Sequence, residues 1–91
     1  MEDARAVGER LRRLREALGF KSAAAFCRFA EIGETAWNNY ERGRRRIDLD
    51  QALKLAARTG ASLDWIYRGQ ESSLPVSLAS KLRESQERLS R

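Results

Sequence analysis

The chain has 91 residues, 42% hydrophobic and 34% charged, which is enough for one compact domain with a modest core and too few for two. It has no histidine and a single cysteine, Cys27, so zinc sites, intramolecular disulfides and histidine-based catalysis are excluded, and no metal or cofactor is expected. The formal charge is +5 and the excess is uneven: residues 1–46 hold 11 Arg/Lys against 7 Asp/Glu, residues 47–91 hold 7 against 6, so a polyanionic partner is expected at the N-terminal half.

Val7, Leu11, Leu14 and Leu18 step by four, three and four, which predicts a first helix over about residues 4–18, closed by Gly19. Arg10, Arg12, Arg13 and Arg15 are expected on its outward faces. Ser22 is the expected N-cap of a short second helix, with Ala23, Ala24 and Ala25 favouring helix and Phe26 and Ala30 forming an i,i+4 apolar pair. Glu31-Ile32-Gly33 breaks that pattern, and Ile32 reads as a plug between two helices. A third helix is predicted from about Glu34 to Arg42, with Trp37 and Tyr40 on one side and Glu34, Thr35, Asn38 and Asn39 on the others. Gly43 closes it, and Arg44-Arg45-Arg46 follows as a basic loop.

Asp48 with Gln51 marks the start of a fourth helix that runs to Thr59, with Leu49, Ala52, Leu53 and Ala56 as its expected buried face. Gly60 ends it, Ser62 caps a fifth short helix containing Leu63, Trp65, Ile66 and Tyr67, and Gly69 stops that one. Residues 70–76 read as a linker containing the only proline, Pro75. Beyond it Leu78, Leu82 and Leu89 fall on or near one face of an amphipathic helix, about residues 77–89. No segment shows the period-2 alternation of a strand, so the predicted fold is all-α, divided into a domain over 1–69, a linker over 70–76 and a C-terminal helix within 77–91. No apolar run approaches the roughly 18 to 20 residues of a membrane span, and the charged N-terminus lacks a signal-peptide core, so a cytoplasmic protein with no membrane partner is expected.

Three segments in this order carry a resemblance: Arg10-Leu11-Arg12-Arg13-Leu14-Arg15 with Gly19, then Tyr40-Glu41-Arg42-Gly43, then Ser62-Leu63-Asp64-Trp65-Ile66-Tyr67-Arg68-Gly69. Over about residues 8–69 the chain resembles the phage-repressor/Cro-like (Xre-type) helix-turn-helix family, a five-helix DNA-binding fold, here with an additional C-terminal helix. The resemblance implies that the third helix lies in the major groove. It places Glu34, Thr35, Asn38 and Asn39 at base edges. An asparagine can bond adenine N6 and N7 together, a glutamate accepts from cytosine N4, and Thr35 offers a hydroxyl or a methyl group. Gly33, Arg42, Arg44, Arg45 and Arg46 are implied at the sugar-phosphate backbone, with Lys21 and Ser22 at the start of the second helix as a second phosphate site. Arg15 and Glu41 correspond to a structural ion pair that orients the recognition helix.

The chain departs from the family pattern at several positions, among them Trp37, where the family buries an aliphatic residue, and Phe29, where it usually shows a charged side chain. Ala23 stands where a glutamine is common, one extra residue lies between Gly19 and the second helix, and Glu31 occupies a turn position that favours glycine. A left-handed conformation at a non-glycine residue costs on the order of 1 kcal/mol, so either the turn differs here or the domain carries the strain. The aromatic residues Trp37, Trp65, Phe26 and Tyr40 are expected in the core, and Cys27 as inert packing. Phe29 is open between a surface anchor and a contact with the first helix. The resemblance implies a repressor that binds double-stranded DNA as a homodimer, associated with the nucleoid when bound. A toxin-binding antitoxin and a protein-interaction module are the other readings, and the C-terminal helix is open between packing, dimerisation and a protein partner. No nucleophile-base pair or phosphate-cradling glycine loop suggests an enzyme.

Overall fold

The computed structural model describes residues 3–89. The helices are α1 (Ala4–Ala17), α2 (Ala23–Ala30), α3 (Glu34–Glu41), α4 (Leu49–Thr59), α5 (Leu63–Arg68) and α6 (Val76–Leu89), with a 3-10 turn at Glu71–Ser73. The described residues contain no strand, so the fold is all-α. α1 is central, packing against α3, α5 and α6, while α2 packs against α3 and α4.

Local chemistry sets the helix starts. The side chains of Asp3, Ser22, Asp48 and Ser62 accept hydrogen bonds from the amides of Ala6, Ala25, Gln51 and Trp65, at 2.9, 3.2, 2.9 and 3.0 Å. Each satisfies one of the amides that the first turn of a helix leaves unpaired. Of the first five helices, four stop against a glycine with positive φ; α2 is the exception and ends on Glu31 at φ 59 and ψ 44. The left-handed turn therefore forms without glycine. Two α4 side chains hold it: the Lys54 ammonium donates to the Glu31 carbonyl at 2.8 Å, and Arg58 pairs with the Glu31 carboxylate. These bonds offset part of the steric cost of the left-handed conformation.

The core is built from Val7, Leu11 and Leu14 of α1, Phe26 and Ala30 of α2, and Ile32 in the turn. Trp37, Tyr40, Leu55, Trp65 and Ile66 extend it, and Leu74, Leu78 and Leu82 belong to the same cluster. Phe20, Phe26 and Phe29 form a ring cluster in which Phe29 stacks on Phe20 at 5.2 Å, so Phe29 rests on the connection between α1 and α2 while one flank stays exposed. Gly8, inside α1, makes the α1–α3 approach possible. A Cβ there would lie 2.2 Å from the Tyr40 carbonyl oxygen and 2.9 Å from that of Glu41.

Two expectations about helix faces are corrected. On α4 the buried residues are Ala52 and Leu55; Ala56 is half-buried, and Leu49 and Leu53 are 58% and 49% exposed. The 3.6-residue period accommodates either stripe, and packing of α4 against α2 and α5 turns the one containing Leu55 inward. On α1, Arg12 is exposed but Arg10 and Arg15 are buried. Arg10 Nε donates to the Ile66 carbonyl at 3.0 Å, next to the C-terminal end of α5, where the helix dipole favours a cation.

Leu74, Leu78 and Leu82 are buried, and Arg13 donates to the Gln86 side chain at 2.9 Å, so the leucine face of α6 packs on α1. The side chain of Leu89 and residues 1, 2, 90 and 91 lie outside the described residues. Among the described residues, no helix is long and apolar enough to cross a membrane.

Candidate nucleic-acid interface

The inner side of α3 is fastened before its outer side can read anything. Arg15 Nε and Nη2 donate to the two Glu41 carboxylate oxygens at 2.7 and 3.2 Å, a bidentate pair whose side chains are only 10% and 11% exposed. The Trp37 indole N–H donates to the same carboxylate. Arg15 Nη1 also donates to the carbonyls of Phe20 and Lys21 at 2.9 and 2.8 Å. One guanidinium therefore joins the C-terminal end of α3 to the segment entering α2. The Glu41 hydrogen bond raises the Arg15 pKa further, so the cation is permanent. With its bonds directed inward, Arg15 is a structural group in this fold.

The opposite side of α3 faces solvent. Glu34 and Thr35 are exposed, and Asn38 and Asn39 are half-exposed. Gly33 is the N-cap and makes no side-chain capping bond, and a Cβ there would meet nothing within 4 Å, so the backbone at the start of α3 is open to close approach. The basic loop is held at the other end of the helix. The Asn38 carbonyl accepts from the Arg42 amide at 3.1 Å, and the Asn39 carbonyl accepts from the amides of Arg44 and Arg45 at 2.9 and 3.4 Å. The chain thus wraps around the C-terminal end of α3 and leaves Arg42, Arg44, Arg45 and Arg46 exposed. The loop's far end is anchored by buried Ile47, whose carbonyl accepts from the Tyr67 hydroxyl at 2.7 Å, and the Tyr40 hydroxyl donates to Asp48 at 3.4 Å.

Lys21 and Ser22 are exposed at the start of α2. The Ser22 oxygen is engaged as N-cap, leaving its hydroxyl hydrogen available, and the Lys21 carbonyl is held by Arg15. The four α3 side chains and the arginine loop are brought together on one element and its continuation. Lys21 and Ser22 form a separate patch tied to them through Arg15. Cys27 is buried, and burial pushes its thiol from 9.0 up to about 11, which removes it as a thiolate nucleophile. Among the described residues, no group of three or more His, Cys, Asp or Glu side chains is placed to hold a metal ion.

Four supporting residues were not singled out for these roles from the sequence. Gly8 sets the α1–α3 distance, Lys54 and Arg58 hold the turn, and Trp37 adds a polar bond to its packing. The only advance signal was a glycine inside a helical pattern, which usually has a packing reason.

Comparison with curated proteins and with solved structures gives no match. The family described as "Helix-turn-helix domain" matches residues 6–66, about two thirds of the chain, from Ala6 in α1 to Ile66 in α5. The chain therefore belongs to the helix-turn-helix domain family, a family of DNA-binding folds.

Proposed function

We propose that the protein is a sequence-specific transcriptional regulator, a repressor that occupies an operator in double-stranded DNA as a homodimer. In this reading α3 enters the major groove, where Thr35, Asn38 and Asn39 meet base edges and Glu34 accepts from a cytosine amino group. Arg42, Arg44, Arg45 and Arg46 neutralise phosphates beside it, while Lys21, Ser22 and the open backbone at Gly33 hold phosphates at the N-terminal ends of α2 and α3. The protein acts in the cytoplasm, on the nucleoid. The observation that carries this reading is the division of α3 into an inner face locked by Arg15, Glu41 and Trp37 and a polar outer face continuous with an exposed arginine loop.

The test is selection of DNA fragments from a random pool by the purified protein, followed by affinity measurements on selected and scrambled duplexes across salt concentrations. Expected are a recurrent motif and a preference on the order of 10³-fold or more for it. Equal affinity for both duplexes would replace the regulator with an architectural DNA-binding role, and no affinity for either would leave the outer face to a protein partner.

A further inference from the structure

A pocket of about 360 Å³ lies where the end of α1 and the connection to α2 face α6, lined by Glu16, Gly19, Phe20, Lys21, Ser85 and Arg88. Ser85 is only 8% exposed, yet its hydroxyl makes no hydrogen bond to another described residue. A buried hydroxyl without a partner is costly, so a group that bonds it is favoured at this point. Among the described residues, Glu16, Lys21 and Arg88 form no ion pair.

The walls are fixed by bonds outside the pocket. Arg15 Nη1 holds the Phe20 and Lys21 carbonyls at 2.9 and 2.8 Å, and the Phe20 amide donates to the Arg15 carbonyl at 3.1 Å. The Phe20 ring packs edge-on against Phe26 at 5.3 Å and stacks on Phe29 at 5.2 Å. On the other wall, Leu78, Leu82 and the bond from Arg13 to Gln86 seat α6 on α1. A pocket of this volume with preset walls suits a small organic molecule, because binding leaves little of the protein to be ordered.

We infer that this pocket binds a small organic monocarboxylate with an apolar body, and that the bound ligand lowers affinity for DNA. The carboxylate meets Lys21 and Arg88, the apolar body lies against Phe20 and Gly19, and the Ser85 hydroxyl donates to the ligand. Two cations against one carboxylate match a single negative charge, and Glu16 repels the second charge of a dianion such as phosphate. The effect on DNA rests on the DNA-binding reading above, in which Lys21 holds a phosphate. A carboxylate in the pocket draws the Lys21 ammonium away from the DNA backbone, so ligand and DNA weaken each other's binding by the same factor.

Amide NMR titration of the full chain with phenylacetate, without DNA, tests the site. Shifts are expected to concentrate at residues 19–21 and 85–88, with a dissociation constant of about 5 mM or below. Arg88 is exposed, so Arg88→Ala should keep the wild-type melting temperature while binding phenylacetate at least about tenfold more weakly. Phenethylamine, which carries the opposite charge, and inorganic phosphate should bind more weakly than phenylacetate. No binding by the wild type, undiminished binding by Arg88→Ala, or phosphate bound as tightly as phenylacetate overturns the inference. The selected duplex supplies a second arm. Saturating phenylacetate should weaken wild-type binding to it at least about fivefold. Arg88→Ala should match the wild type on DNA without ligand and respond less at the same ligand concentration. Unchanged wild-type affinity at saturation overturns the competition at Lys21. Should phenylacetate bind the pocket and no duplex bind the protein, the proposed function falls and the pocket stands. Sequence-specific DNA binding without any response to phenylacetate has the opposite meaning.

Discussion

The two sides of α3 are opposite in almost every physical respect. Toward α1, Trp37 and Tyr40 are buried, one carboxylate receives both the Arg15 guanidinium and the Trp37 indole, and Gly8 lets the backbones approach without a Cβ between them. Toward solvent, Glu34 and Thr35 are exposed on a helix of only eight residues. So short a helix is not stable by itself in water, so its direction comes from the inner side. Interactions with the scaffold orient α3, which leaves the outer residues available for recognition.

Mutations on the two sides should therefore separate stability from affinity. Removing the shared carboxylate has the largest expected effect. Glu41→Ala leaves a buried arginine without its counter-charge and an indole N–H without its acceptor, and is expected to cost about 3 to 5 kcal/mol of stability in denaturant unfolding. A loss below about 1 kcal/mol would mean that the inner side is not the scaffold described. Gly8→Ala comes next. The added methyl group collides with the Tyr40 and Glu41 carbonyls, so α3 must move or the core must strain, at a cost of about 1 to 3 kcal/mol.

On the outer side the melting temperature should barely change. Asn38→Ala is expected to cost about 1 to 3 kcal/mol on the selected DNA and to relax preference at one base pair. Arg44→Ala should instead weaken all duplexes about equally and flatten the salt dependence of affinity by about one unit. Identical profiles for these two variants would erase the distinction between reading and clamping.

A smaller effect concerns pH. The buried Cys27 thiol titrates at about 11 in the fold against 9.0 when exposed. The unfolded chain releases that proton first, so the contribution is intact below pH 9 and is lost as pH rises to 11. Burial also raises the Tyr40 and Tyr67 hydroxyls, which add to the decline above pH 10. Cys27→Ala should accordingly show a shallower fall in unfolding free energy between pH 9 and 11 than the wild type. Parallel curves would indicate a thiol that reaches water in the native state.

Much of the helix pattern was legible because its signals are local. Asp48 with Gln51, Ser22, Ser62 and the closing glycines each act within one turn of chain. The interior was less legible where a choice depended on distant partners. Leu49 and Leu53 satisfy the helical period as well as Leu55 does, and only the packing against α2 and α5 decides between the stripes. Arg10 reads as a surface charge because its acceptor, the Ile66 carbonyl, is 56 residues away in sequence, whereas the pairing of Arg15 with Glu41, 26 residues apart, was legible only through the family resemblance. Among the candidate site residues, placement of the α3 side chains and the arginine loop followed from the helix and its closing glycine. The Lys54 and Arg58 support of the turn did not, since it serves a residue type that the turn ordinarily avoids.

That support links two faces of one helix. Leu49 and Leu53 point away from the core on α4, while Lys54 and Arg58 reach from the same helix to the residue between α2 and α3. The left-handed shape of the turn therefore depends on the position of α4, whereas a glycine would hold it alone. Removing both tethers with Lys54→Ala and Arg58→Ala should lower stability more in the wild type than in Glu31→Gly. Equal losses in the two backgrounds would show the tether to be passive.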